Sequence, residues 1–362
     1  MNIVFCGDLC PGGMLAYQDH FIDQELMDRL SFFDLRVCTL EGAIGTNLPY
    51  EPSKLAVNGG NNNICYIRDE DFFRIKKLNI NLVSLANNHS LDLGEIGLEN
   101  TLNLLKDHNI KYCGAGYNID EASEPAVFYD KDGKSIAFFA FCVEGTFPYS
   151  CNVAGKNKPG IYKTTIENII GKVKDLSKCY DTVILLPHWG KEHSFFPPIE
   201  CKNYAKKLVS AGASAIFGSH SHIYSPYSLF KNKIVCYGMG NFLFPDFMME
   251  PPRPMFYPQN IEDVRRFRRV RNYPSIVKEP SISVWDRESR IGMNWTVCVG
   301  NGKVKKFEYF LTELSPDNVV FPLKKKALFK NIFLRFVKIP FGNAIVNCIF
   351  YSFIYRLYKK IL

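Results

Sequence analysis

Among its twelve cysteines the chain has no Cys-x-x-Cys pair; they stand singly or as Cys6-x-x-x-Cys10. That pattern points away from a zinc ribbon or a disulfide framework and toward reduced thiols. Internal repeats and low-complexity tracts are absent. No basic leader or small-residue cleavage site precedes the first apolar run, because residues 1–8 enter a strand at once. The expected location is therefore cytoplasmic. No recognition motif for nucleic acid accompanies the basic residues, so nucleic acid is not an expected partner. Acidic residues are missing altogether after Asp317, where nine of the 44 basic residues lie. The remaining 35 basic side chains face 36 acidic ones, so the tail holds the whole basic excess behind the net charge of +8.

What is present reads as a large globular α/β protein. The 362 residues can bury a sizeable core. Up to about residue 245, short β-branched runs alternate with helical patterns, which predicts strands feeding crossover helices. Predicted strands cover residues 3–6, 35–40, 82–85, 111–113, 136–141, 183–187, 215–217 and 234–237. Helical spacing marks residues 95–105 and 201–211. In the stretch 245–290, Pro251, Pro252, Pro254 and Pro258 precede the arginine cluster 265–271, with little periodicity, and a long loop or insertion is expected. Residues 295–299, the Gly300-Asn301-Gly302 turn and residues 304–311 predict a hairpin that closes a domain over 1–315. Residues 318–362 then form a basic amphipathic tail: Phe329, Ile332, Phe333, Phe336 and Val337 share one helical face. Its uncharged stretch 339–355 is broken by Asn343, Asn347 and Ser352 and is marginal as a membrane span. An interfacial helix on an anionic membrane surface and a helix pair packed on a protein both fit this pattern.

Five of the seven histidines fall in three motifs, Ala86-Asn87-Asn88-His89, Pro187-His188-Trp189-Gly190 with His193 just after, and Gly218-Ser219-His220-Ser221-His222. Each follows a strand-like run, so the rings are expected to converge on one crevice at adjacent strand ends. Asp8 and Glu41 also stand at predicted strand ends. Together with Asn88, His188, His220 and His222 they supply the mixed oxygen and nitrogen donors that suit one or two divalent ions such as Mn, Fe or Zn. A shared carboxylate can clamp two cations about 4 Å apart, an arrangement suited to hydrolysing phosphate esters.

Through Gly7-Asp8, Leu40-Glu41, residues 84–94, Gly114-Ala115-Gly116, residues 188–192, residues 218–222 and Gly238-Met239-Gly240-Asn241-Phe242, the sequence resembles the CapA-type capsule and poly-γ-glutamate biosynthesis proteins. Their domain is similar to the calcineurin-like metallophosphoesterases. The resemblance implies a four-layer αββα metallophosphoesterase-like sandwich. It implies that Asp8 and His222 hold one metal, that Glu41 bridges, and that Asn88, His188 and His220 hold the second. His89 would be the catalytic acid, or would steady the transferring phosphoryl group. The resemblance departs at the first motif, where the superfamily's Asp-x-His is Asp8-Leu9-Cys10.

Cys10 therefore reads either as a replacement ligand or as a small apolar filler. Asn87 and Asp92 read as groups that orient the ligand loop, with helix capping the alternative for Asp92. His193 and Asn241 read as pocket-lining or turn-fixing residues near the site. The arginines of residues 265–271 can bind anions or form a solvated surface. The resulting expectation is a phosphoesterase-like hydrolase in capsule synthesis or export, acting on an anionic polymer or phosphorylated substrate. Two alternatives stand beside it. One is a non-catalytic component that binds the polymer or its carrier while the tail, residues 318–362, docks on a membrane synthase at the inner face of the membrane. The other is a general nucleotide or sugar phosphatase.

Overall fold

The computed structural model describes residues 1–46, 64–145, 153–251, 255–271 and 278–323. The described residues all fall within one unit, Met1–Leu323. The tail expected at 318–362 lies, from residue 324 onward, outside the described residues.

Two sheets make the centre. In the first, the strands Leu35–Leu40, Leu82–Ser84 and Lys111–Cys113 extend in parallel from one side of Asn2–Leu9. The antiparallel strands Ile291–Gly300, Lys303–Leu314 and Val320–Pro322 continue from its other side. In the second sheet Lys163–Thr164, Ser135–Val143, Thr182–His188, Ala215–Phe217 and Lys233–Cys236 run parallel, and Tyr227–Phe230 and Ala126–Tyr129 pair antiparallel at its flanks.

The side-chain period of two explains how the layers stack. Along Ser135–Val143, Phe138 turns inward to the Phe5 ring of the first sheet, at 6.1 Å. Its neighbours Phe139, Phe141 and Val143 instead join an outer cluster with Ile169, Val173, Ala205 and Leu208, which come from the helices Ile166–Cys179 and Ile199–Ala211. Phe5 stacks on Phe217 at 4.1 Å, and Trp295 closes on Phe217 and Tyr227. The helices Gln24–Ser31 and Gly94–Asp107 accompany the first sheet, burying Leu26, Leu30, Leu98, Leu102 and Leu105. The four-layer αββα sandwich expected from the sequence is the architecture the chain adopts.

Two details differ from the sequence reading. The strand before Asn88 and His89 belongs to the first sheet, whereas those before His188 and His220 belong to the second. The histidine motifs thus meet across the sandwich as well as along one edge, because both sheets present the carboxyl ends of their parallel strands at the same place. The stretch 245–290 is also more regular than a loop. It contains the helix Ile261–Arg266 and a three-stranded sheet of Phe247–Met249, Ser281–Val284 and Arg268–Arg271. A local cluster of Met248, Val264 and Ile282 explains why it orders without a long-period pattern.

At the site edge the backbone approach is close. A Cβ on Gly7 would meet the Gly240 carbonyl oxygen at 1.7 Å, and Gly240 itself has φ +74. Gly7→Ala is expected to force the strand Asn2–Leu9 away from Gly240 and to cost at least the roughly 1–3 kcal/mol of an overpacked core. An urea-denaturation midpoint checks this.

Candidate metal centre

Asp8 lies one residue before the end of its strand, in register with Thr39 on one side and Asn241 on the other. Glu41 follows directly after the neighbouring strand, and its amide bonds to the Leu9 carbonyl at 2.9 Å. Both carboxylates are completely buried. None of their four oxygens has a hydrogen-bond partner of ordinary geometry among the described residues. Imidazoles surround them instead. His222 approaches Asp8 through Nδ1 at 3.6 Å and Glu41 through Nε2 at 3.6 Å, and His188 Nε2 lies 3.7 Å from Glu41. Asn88 reaches across from the first sheet, its Oδ1 2.8 Å from His188 Nε2.

Neighbouring groups fix the rings. His188 ends its strand and contacts Ser219 Oγ through Nδ1 at 2.9 Å. Asn241 Oδ1 lies 2.9 Å from His222 Nδ1, while its amide donates to the Ser289 carbonyl. Asn87 ties the first motif to the sheet by donating to the Leu40 carbonyl and accepting from the His89 amide. The loop carrying His220 and His222 places both at positive φ, +93 and +51. Such conformations cost on the order of 1–3 kcal/mol each and persist only where the surroundings enforce them.

Apart from a third such group among the described residues, Cys65, His89 and Asp92, the donor atoms fall into two groups, each with its atoms within 4.8 Å of one another: Glu41, His188 and His220, and Asp8, Glu41 and His222. Glu41 is common to both. The electrostatics fit cations at these positions. Burial pushes Asp8 up to about 8, against a pull in the other direction from the His220 backbone amide and the Glu41 side chain. Burial, and then the Asp8 charge, push Glu41 well above the ordinary carboxyl range. Burial lowers His220 to about 4 and drives His188 and His222 well below the usual imidazole range, so all three are neutral donors near pH 7. Two buried carboxylates among neutral imidazoles form a site that a divalent cation would compensate.

Cys10 joins neither group. It is buried, and burial together with the Glu41 charge holds its thiol far above the ordinary range. His89 stands apart from the two groups. Its Nδ1 lies 2.6 Å from Asp92 Oδ2, which also accepts the Cys65 amide at 2.7 Å. Asp92 thus orients an imidazole rather than capping a helix. His193 is solvent-exposed, stacks on His222 at 5.8 Å, and lines a cavity of about 660 Å³ that also touches His220. Glu144, Glu192, Glu200 and Lys191 give that cavity an acidic wall.

Sequence reasoning missed Trp285. Its ring lies 5.0 Å from His222 and 6.0 Å from His193, and its amide and indole bond to Asp246 and Pro245. Only the rarity of tryptophan hinted at it, and it stands in the stretch read as a loop.

In the metal-free protein Asp8 gains a proton on folding, since its carboxyl is near 3.8 unfolded and about 8 folded. The associated stability is complete below the lower value and is lost as pH rises through the higher one. Asp8→Asn is therefore expected to raise the melting midpoint in chelator by roughly a few degrees at pH 8, with little change near pH 4. Thermal denaturation at both pH values checks the sign.

The family model described as Bacterial capsule synthesis protein PGA_cap matches residues 2–246. PGA biosynthesis protein CapA of Bacillus subtilis (strain 168) is 29% identical over 170 residues, which is 47% of this chain and 44% of that protein. Capsule biosynthesis protein CapA of Bacillus anthracis is 30% identical over 184 residues, 49% of this chain and 43% of that protein. The chain thus spans less than half the length of these curated relatives. The crystal structure of 5'-nucleotidase from Candida albicans SC5314 aligns with a TM-score of 0.43 at 13% identity, over 93% of this chain and 57% of that one.

Proposed function

Because the chain belongs to the bacterial capsule synthesis protein family PGA_cap, we propose that it is a metal-dependent, phosphoesterase-like hydrolase in the synthesis or export of a capsular polysaccharide or poly-γ-glutamate. The observation that carries this reading is Glu41, a buried carboxylate without a hydrogen-bond donor that belongs to both groups of donor atoms. Asp8, Glu41 and His222 would hold one divalent ion, and Glu41, Asn88, His188 and His220 the other, with Mn, Fe or Zn suited to such donors. When bound, such ions supply Lewis acidity and make a water molecule acidic at neutral pH.

The protein's own groups do the rest. Asp92 holds His89 at Nδ1 and fixes the ring, so that Nε2 would be the nitrogen to deliver a proton to the leaving oxygen. Ser219 and Asn241 contact Nδ1 of His188 and of His222, which orients the two rings. The Trp285 ring packs beside His222, at 5.0 Å. Among the described residues no helix is long and apolar enough to cross a membrane. We place the activity on the cytoplasmic side, with residues 318–362 as the contact to an anionic membrane surface or to a membrane synthase.

One observation favours a second, non-catalytic reading in which the crevice binds polymer or carrier. Cys10 occupies the position of an expected imidazole, and its thiol is held protonated. Metal analysis together with turnover of a phosphodiester panel separates the two. His89→Ala is expected to keep its metal and lose about 100-fold or more in kcat, the usual weight of a general acid. His188→Ala is expected to lose metal and activity together. Tight metal without turnover, indifferent to His89→Ala, would favour the binding reading. Full turnover without Asn88 and His188 would sink the two-metal arrangement.

For the tail, removal of residues 324–362 leaves the paired strand Val320–Pro322 in place. That deletion is expected to abolish flotation with anionic liposomes, and unchanged flotation would remove the membrane partner.

A further inference from the structure

The helix Ile261–Arg266 and the strand Arg268–Arg271 place Arg265, Arg266, Arg268, Arg269 and Arg271 on the surface, all exposed. Arg265 pairs with Glu262 at 2.7 Å; among the described residues the other four have no ion-pair partner. Among the described residues the strand is the outer member of its three-stranded sheet and pairs only with Ser281–Val284. Charge on an edge strand discourages pairing with a second sheet, and one or two charges suffice for that. Five arginines within seven residues exceed that need and concentrate positive charge on this edge.

The strand also leads somewhere. Its pairing with Ser281–Val284 is parallel, with Arg268 opposite Ser281 and Arg271 opposite Val284. The next residue of the partner strand is Trp285, whose ring lies 5.0 Å from His222. The arginine-bearing edge therefore runs toward the donor groups of the metal centre. Its base is firm, since Met248, Val264 and Ile282 are buried together, with Phe256, Tyr257 and Phe267 packed on them.

We propose that this edge, Arg265 to Arg271, binds an extended polycarboxylate and feeds it past Trp285 into the crevice of Glu41 and His222. Arg269 and Arg271, alternate residues of the strand, share one face about 7 Å apart, with Arg268 on the other, and the planar guanidinium fork matches a carboxylate. Single-stranded nucleic acid fits less well, because such surfaces interleave cations with exposed stacking rings. Here Phe267 is engaged by Phe256 at 5.9 Å. The choice of carboxylate over phosphate rests on the capsule role proposed above.

The test uses the full chain and fluorescent polyglutamate, with binding read by anisotropy at two salt concentrations. The triple variant Arg268→Gln, Arg269→Gln, Arg271→Gln is expected to bind about tenfold more weakly, the combined loss of three exposed ion pairs, and with a flatter salt dependence. The matched variant Lys303→Gln, Lys305→Gln, Lys306→Gln, on the exposed surface of the hairpin strand, should bind as the parent does. Polymer should also shield Arg268 and Arg269 from phenylglyoxal, read by mass spectrometry. Equal weakening in both variants, or in neither, overturns the proposal. Polyphosphate or single-stranded RNA binding as tightly as polyglutamate at the same arginines overturns the polycarboxylate assignment. Failure of the hydrolase reading would appear instead as absent phosphodiester turnover with polymer binding intact.

Discussion

Two carboxylates buried side by side, Asp8 and Glu41, set the problem that the surrounding structure answers. Ionised carboxylates without donors are costly in a protein interior, by several kcal/mol or more for each. Nothing in the packing requires them, because an apolar pair would fill the same space at lower cost. They can be neutralised by protonation or by positive charge between them, and the three imidazoles cannot provide that charge while burial keeps them neutral. The proposed cations, held by oxygen and neutral nitrogen donors, would resolve both features together.

The fold serves this arrangement through close backbone contact rather than through loop length. Gly7 lies against the Gly240 carbonyl, and the Asp8 amide bonds to the same oxygen at 3.0 Å. Glu41 is locked to Leu9 and Asn87 to Leu40, so the first acidic residue, the second and the first histidine motif form one rigid edge. The second sheet contributes His188 from a strand end and His220 and His222 from a strained loop. Paired residues in the sandwich core, among them Phe5 on Phe217, hold the two edges in register.

Charges of both signs lie around the centre. On the side of His220 the cavity wall carries Glu144, Glu192 and Glu200 against Lys191. On the side of Trp285 the edge strand carries arginines. On the proposed approach along the arginines an anionic ligand would meet attraction, whereas the acidic cavity wall would repel it.

Much of this was legible in the chain itself. Strand-like runs ending in Asp8, Glu41 and His188 were visible because apolar residues buried on both faces make continuous runs, and the hairpin was marked by Asn301 and Gly302, which adopt the positive φ such a turn needs. The ordered motifs named the donors and, through resemblance, their grouping around Glu41. Sequence periodicity could not assign the His89 motif and the His188 motif to different sheets, because a strand's pattern does not record its partners. Nor could it show that Asp92 holds His89, that Cys10 stays outside both donor groups, that Trp285 packs beside His222, or that residues 245–290 contain a small sheet. Those are contacts between distant segments, decided by which faces pack together, and only the tertiary structure holds that information. The sequence by itself determined which atoms are able to bind metal; the packing of two sheets determined that they share one place.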